Sequence, residues 1–160
     1  MATIGIESNG RLERTAIYYN GEQISGLKEL LLHLDEDGTF DGIIQYEGHD
    51  KIIYNKSIFG DTLSNIKIVE PSFTEEEAMN LRLFEIDSNG DIENTVVSMN
   101  SEELQGLVNL YVHIKSSHSS GGSSLKNFFG GQKDLPEEAE FKAEFTFRND
   151  DDTLSTEGIF

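Results

Sequence analysis

The chain has 160 residues, 30 of them acidic and 12 basic, for a formal net charge of -18, and it contains no cysteine. That charge argues against nucleic acid and anionic membranes as ligands and favours a partner with a basic surface, while the missing cysteines exclude a disulfide framework and any thiolate metal site. No apolar run approaches the roughly 20 residues that span a bilayer and the N-terminus lacks a basic, apolar signal segment, so a cytoplasmic protein is expected.

The segment from Ile6 to Leu34 returns as Ile86 to Ile114 at a constant offset of 80 residues, with 12 of its 29 positions identical. A period of this length implies two similar units. Because a unit of about 80 residues buries only about 60% of its unfolded surface, the two are expected to share apolar surface and pack as one pair.

In chain order, Ile4 to Ile6 and Leu12 to Tyr19 flank Ser8-Asn9-Gly10. Asn-Gly suits a type I′ hairpin turn, since both residues tolerate positive φ, so the two flanks are expected to form a hairpin. Glu85-Ile86 and Ile92 to Met99 repeat the arrangement around Asn89-Gly90. Next, Ile24, Leu27, Leu30, Leu31 and Leu34 fit a helical face, as do Leu104, Leu107, Leu110, Tyr111 and Ile114, with Asn100 and Glu103 placed to cap such a helix. Against the helix stand the alternation of Leu30, Leu32 and Leu34, the matching alternation of Leu110, Val112 and Ile114, and the β-favouring composition of Val108 to Ile114. Gly26 and Gly106 would each cost a helix roughly 1 kcal/mol relative to alanine. A turn at Asp35 to Gly38 and a returning strand from Phe40 to Tyr46 decide for a strand, preceded by one helical turn at Glu22 to Gly26 or Glu102 to Gly106.

In the second copy the corresponding loop is enlarged over 116–136, with SSHSSGGSS and FFGG stretches poor in regular-structure signals. The returning strand, Phe141, Ala143, Phe145 and Phe147 alternating with Lys142, Glu144, Thr146 and Arg148, matches Phe40, Gly42, Ile44 and Tyr46 at an offset of 101. Two registers compete for the closing strand. An offset of 101 pairs Ile58-Phe59 with Ile159-Phe160, and an offset of 91 pairs Asp61–Ile68 with Asp152–Ile159. The second gives more matches and is preferred, which makes His49 to Ser57 an extra hairpin. Between the copies, Glu70 to Asn80 reads as a connector in which Pro71 ends a strand and Ser72 or Thr74 caps a short helix through Met79.

Signals for chemistry are few. His33 and His113 occupy equivalent positions, but one histidine per copy is too few for zinc unless the copies face each other, and outward-facing strand histidines account for them as well. Asp35, Asp37 and Asp41, or Glu85, Asp87 and Asp91, offer oxygen ligands for calcium, at spacings that do not match an EF-hand. No GxSxG elbow, P-loop or GxGxxG occurs, and with 30 acids a nearby carboxylate pair carries no information about glycoside hydrolysis.

The sequence therefore predicts a mainly β protein of two tandem duplicated antiparallel β units, of sandwich or half-barrel type, packed with pseudo-two-fold symmetry. Residues 1–69 form the first unit, 70–80 the connector and 81–160 the second. The expected function is non-enzymatic, with no cofactor: an acidic module that binds a protein partner with a basic surface, as an inhibitor or immunity-type factor does, including by mimicry of nucleic-acid charge. Alternatives are a structural or assembly subunit that pairs through edge strands, and a calcium- or carbohydrate-binding module. Candidate partner contacts are Glu13, Asn20, Glu22 and His33 with Glu93, Asn100, Glu102 and His113, polar in both copies without an evident folding role, together with Phe128 and Phe129 of the long loop.

Overall fold

Period-two alternation emerges as strand throughout. Leu30, Leu32, Ile44, Tyr46, Leu110 and Val112 have no solvent exposure, whereas the neighbours between them face outward. The computed structural model describes residues 2–115 and 140–160. In order, its elements are β1 (Ala2–Ser8), β2 (Thr15–Tyr19), β3 (Glu22–Ser25), β4 (Leu27–Asp35), β5 (Phe40–Glu47), β6 (Ile53–Ser57), β7 (Lys67–Ile68), a one-turn helix α1 (Glu75–Ala78), β8 (Arg82–Ser88), β9 (Val96–Met99), β10 (Glu102–Glu103), β11 (Leu107–Lys115), β12 (Glu140–Arg148) and β13 (Leu154–Gly158). The protein is mainly β, as its alternation predicts. The expected loop at 116–136, with Phe128 and Phe129, lies outside the described residues.

Two antiparallel sheets face each other. One runs β10-β9-β8-β1-β2-β3-β7 and the other β13-β12-β11-β4-β5-β6. At the middle of each, the first half of the chain meets the second: β1 pairs with β8, Gly5 opposite Glu85, and β4 pairs with β11, Leu32 opposite Val112. Neither half closes a core alone. Ile4, Ile6, Leu30, Leu32, Ile44 and Tyr46 pack in one cluster with Phe84, Ile86, Leu110, Val112 and Phe145. Each such side chain contributes about 1.5–3 kcal/mol on burial, so the shared cluster is the main stabilising term.

Three local expectations are corrected. Asn9-Gly10 is not a two-residue type I′ turn: Ser8 pairs with Thr15, so residues 9–14 form the connection, with a 3₁₀ turn at Leu12–Arg14. The buried Ser8 hydroxyl holds this loop, lying 2.7 Å from Thr15 Oγ1 and accepting from Gly10 N at 2.9 Å, and Ser88 does the same with Thr95 and Gly90 at 2.8 and 3.0 Å. The type I′ geometry falls instead at Asn20-Gly21, φ 51° and 87°, between paired Tyr19 and Glu22, and at Asn100-Ser101, φ 52° and 73°, between Met99 and Glu102.

The helical turn expected at Glu22 to Gly26 is the strand β3, because Ile24 must face Ile17 to enter the core. Likewise Glu102–Glu103 is β10. Gly26 then turns the chain from one sheet into the other at φ 82°, and Gly106 does so at φ 75°. In that left-handed region a side chain costs about 1–2 kcal/mol, which accounts for glycine in both places.

The closing strands follow the offset of 101, not 91. β6 flanks β5 as β13 flanks β12, Ile58 N donates to Gly42 O at 2.8 Å as Ile159 N donates to Ala143 O at 3.0 Å, and both isoleucines are fully buried. The matching Asp-Thr-Leu-Ser stretches lie in different surroundings. Asp61 accepts from Ser57 N after β6, whereas Asp152 occupies the turn before β13. Beyond β7 the connector carries α1, closed by a capping box in which Glu77 N donates to Thr74 Oγ1 and Thr74 N to Glu77 Oε1, at 3.1 and 3.0 Å. No helix among the described residues is long and apolar enough to cross a membrane.

Candidate functional site

Among the predicted contacts that lie in the described residues, the two histidines come together across the sheet. On the outward face of the β4–β11 sheet, Tyr111 lies opposite His33, their rings edge-on with centroids 5.9 Å apart, and 6.5 Å from the His113 ring. The Lys142 ammonium stands 5.5 Å above the Tyr111 ring. His113 Nε2 meets Glu29 Oε2 at 2.5 Å and its Nδ1 meets Glu140 Oε2, so the ring ties β4, β11 and β12 together. Among the described residues no three His, Asp or Glu side chains converge as a metal site requires.

The other predicted residues are apart. Asn20 and Asn100 serve their turns, each Oδ1 accepting a backbone N–H at 2.9 Å, from Thr3 and from Leu83. Glu22 and Glu102 are exposed opposite Tyr19 and Met99. Glu13 and Glu93 sit in exposed 3₁₀ turns at opposite ends of the sheet, because β1 and β8 run antiparallel. The acids weighed for calcium have local duties: Asp35 and Asp37 accept from the backbone N–H of Asp37 and Thr39, and Asp87 accepts the Thr3 hydroxyl proton.

A different feature stands out once the two ends of the sandwich are compared. At one end meet the loop after β4, the turn after β8, the corner before β11 and the turn after β12. Glu36 N donates to Val108 O and Arg148 N to Gly106 O, Arg148 Nη2 reaches both Glu36 carboxylate oxygens at 2.8 and 3.0 Å, and Leu34, Ile92 and Glu103 line one hollow. Segments 35–37, 91–94, 103–106 and 148–152 carry nine carboxylates (Asp35, Glu36, Asp37, Asp91, Glu93, Glu103, Asp150, Asp151, Asp152) and one base, Arg148. Three of these segments, 91–94, 103–106 and 148–152, have counterparts described in full at the other end, 11–14, 23–26 and 47–51. These hold three acids and three bases, against six and one in 91–94, 103–106 and 148–152. The bases at the mixed end are partly neutralised: Arg11 lies 3.8 Å from Glu13 and Arg14 3.9 Å from Glu77.

Local hydrogen bonds favour the ionised form of two of these carboxylates. The backbone N–H of Thr39, then its hydroxyl, holds the Asp37 carboxyl below its usual range, and the Thr153 hydroxyl, then its backbone N–H, does so for Asp151. Hydrogen bonding to Glu36 pushes Arg148 further up. Gln105, Phe147, Arg148, Asn149, Asp150 and Asp151 line a wide hollow of about 670 Å³ beside these groups. The sequence alone does not say which end of the sandwich the acids occupy. Comparing the repeats charge by charge would have exposed the bias, because 6–34 holds four acids and three bases while 86–114 holds five acids and none. Neither a protein-family model, nor a curated protein, nor a solved structure matches the chain.

Proposed function

We propose that the protein is a non-enzymatic module that binds the basic surface of a partner protein through the acidic end of its sandwich, in the manner of an inhibitor or immunity-type factor. The observation that carries this reading is the contrast between corresponding segments, six carboxylates and one base at one end against three and three at the other. A charge concentrated on one end steers an oppositely charged partner into a defined orientation, which uniform acidity does not. The reading includes a tandem duplication about a pseudo-two-fold axis. It is supported by the 80-residue repeat and by registers that set Gly5 opposite Glu85 and Leu32 opposite Val112. On this view the second copy diverged in charge while keeping the shared core: Arg11, Arg14 and Lys28 correspond to Asp91, Asn94 and Val108.

The test is capture from native lysate by the immobilised full chain at about 0.1 M salt and release near 1 M, where the screening length falls from about 10 to 3 Å. A variant carrying Asp91→Asn, Glu93→Gln, Glu103→Gln and Asp150→Asn leaves Asp35, Asp37 and Asp151 in their turn contacts and should lose the captured basic protein. Neutralising Glu13, Glu47, Glu75 and Glu76, which lie toward the mixed end, should not. Capture that survives high salt, or that both variants reduce equally, overturns the proposal.

A second reading, assembly through edge strands, is favoured by β13, whose five residues are all exposed on an edge without lysine or proline. Light scattering that finds a monomer at every concentration removes it.

A further inference from the structure

At the acidic end a surface cavity of about 190 Å³ opens between the sheets, walled by Leu34, Ile92, Val97, Leu104 and Leu107, with Glu103 at its rim. The opposite end carries a cavity of about 210 Å³ with the corresponding walls, Ile114, Leu12, Ile17, Ile24 and Leu27, and Gln23 in the place of Glu103. Every residue lining the first has its counterpart in the second, 80 positions earlier or, for Leu34, 80 later. The two hollows therefore share size and aliphatic walls and differ at the rim. Gln23 is buried, and both ends of its amide are used: Nε2 donates to Ser72 Oγ at 2.8 Å, and Oε1 accepts from Ser72 N at 2.7 Å. Glu103 is exposed, with Asp91 and Glu93 nearby in place of Arg11 and Glu13.

We propose that the cavity at the acidic end takes the alkyl stem of a lysine side chain of the basic partner, with the ammonium held at Glu103. This rests on the reading of the acidic end as the binding surface and adds what that end selects. Lysine combines four methylenes that prefer an apolar wall with a compact cation that stays at the water boundary, which matches aliphatic walls under a carboxylate. Arginine fits less well, because its planar guanidinium favours aromatic faces and the lining contains no aromatic ring. At the other end the same walls lie under a satisfied amide, so that cavity has no preference for a cation and serves as an internal control.

The experiment is methyl NMR of the full chain titrated with n-pentylammonium chloride and, separately, with 1-pentanol as its neutral counterpart. Pentylammonium should shift the methyl signals of Ile92, Leu104 and Leu107 saturably and bind there more tightly than pentanol by up to about fivefold, the upper range of an exposed ion pair. At Ile24 and Leu27 the two probes should bind alike. Glu103→Gln, an exposed substitution that leaves the walls intact, should erase the preference. Leu104→Phe should fill the cavity and silence the Ile92 and Leu107 shifts for both probes. If pentylammonium moves only backbone signals near Asp91, Glu103 and Asp150 while the wall methyls stay still, or if Glu103→Gln leaves the preference unchanged, the lysine assignment is overturned and the acidic-end reading stands. If nothing at that end moves and the neutralised quadruple variant still captures basic protein, both fall.

Discussion

At the scale of single residues, several repeated positions express backbone geometry. Gly26 and Gly106 look alike in sequence, yet a Cβ on Gly26 would lie 2.6 Å from Glu47 O, against 3.4 Å from Arg148 O for Gly106. Gly106→Ala is expected to lower stability by about 1–2 kcal/mol, the cost of the left-handed backbone, and Gly26→Ala by about 3–4 kcal/mol because the facing carbonyl must also move. Urea unfolding of the two variants checks the order, and equal losses would contradict it. Tyr18 provides a pH signature. Its hydroxyl donates to Glu7 Oε1 at 3.1 Å, and burial, reinforced by the charge of Glu7 and by this hydrogen bond, pushes its pKa from 10.0 up to about 12. The folded state thus holds the phenolic proton more tightly than the unfolded chain. Its contribution is complete below pH 10 and is lost as pH rises through about 12. Tyr18→Phe should flatten the decline of the unfolding midpoint over that interval, and an unchanged decline would assign it to other groups.

At the scale of elements, alternation made the long strands legible. β4, β5, β11 and β12 lie where Leu30 to Leu34, Phe40 to Tyr46, Leu110 to Ile114 and Phe141 to Phe147 place them. The turns were less legible, because two Asn-Gly pairs compete in the first half of the chain and only the pairing partners decide between them: Ser8 must reach Thr15, which leaves Asn20-Gly21 as the tight turn. The closing strands misled for a related reason, since the matches of the Asp-Thr-Leu-Ser stretches outnumbered the two buried isoleucines that fix the register. The second tight turn carries Ser101 at φ 73° where the first has Gly21 at φ 87°. Ser101→Gly should therefore stabilise by roughly 0.5–1 kcal/mol, relief of the left-handed strain minus the added freedom of the unfolded chain. Thermal unfolding checks it, and a loss would mean that Ser101 makes a compensating contact. The histidine face was half legible: equivalence singled out His33 and His113, but that Glu29 and Glu140 would flank His113 depends on pairing across three strands. The acidic end was hidden for the same reason, since its nine carboxylates come from four distant segments.

At the scale of the whole molecule, each sheet is stitched across its centre by strands from different halves of the chain, and the cluster at the core takes side chains from both. Residues 1–80 and 81–160, produced separately, should each lack a stable tertiary fold, and mixing them should restore the β circular dichroism and a cooperative transition. Two halves that each unfold cooperatively alone would show that the core is divisible. The central pairing also sets an order of events during synthesis. Ile4 pairs with Ile86 and Glu29 with Lys115, so β1 and β4 each leave the ribosome with one edge open until the second half arrives. Residues 69–115 take roughly 2–9 s to synthesise at about 5–20 residues per second. For that interval the unfinished chain displays two apolar strand edges whose proper partners are not yet made. The second half of a neighbouring chain offers the same complement, so crowding on a polysome favours exchanged dimers built from native contacts.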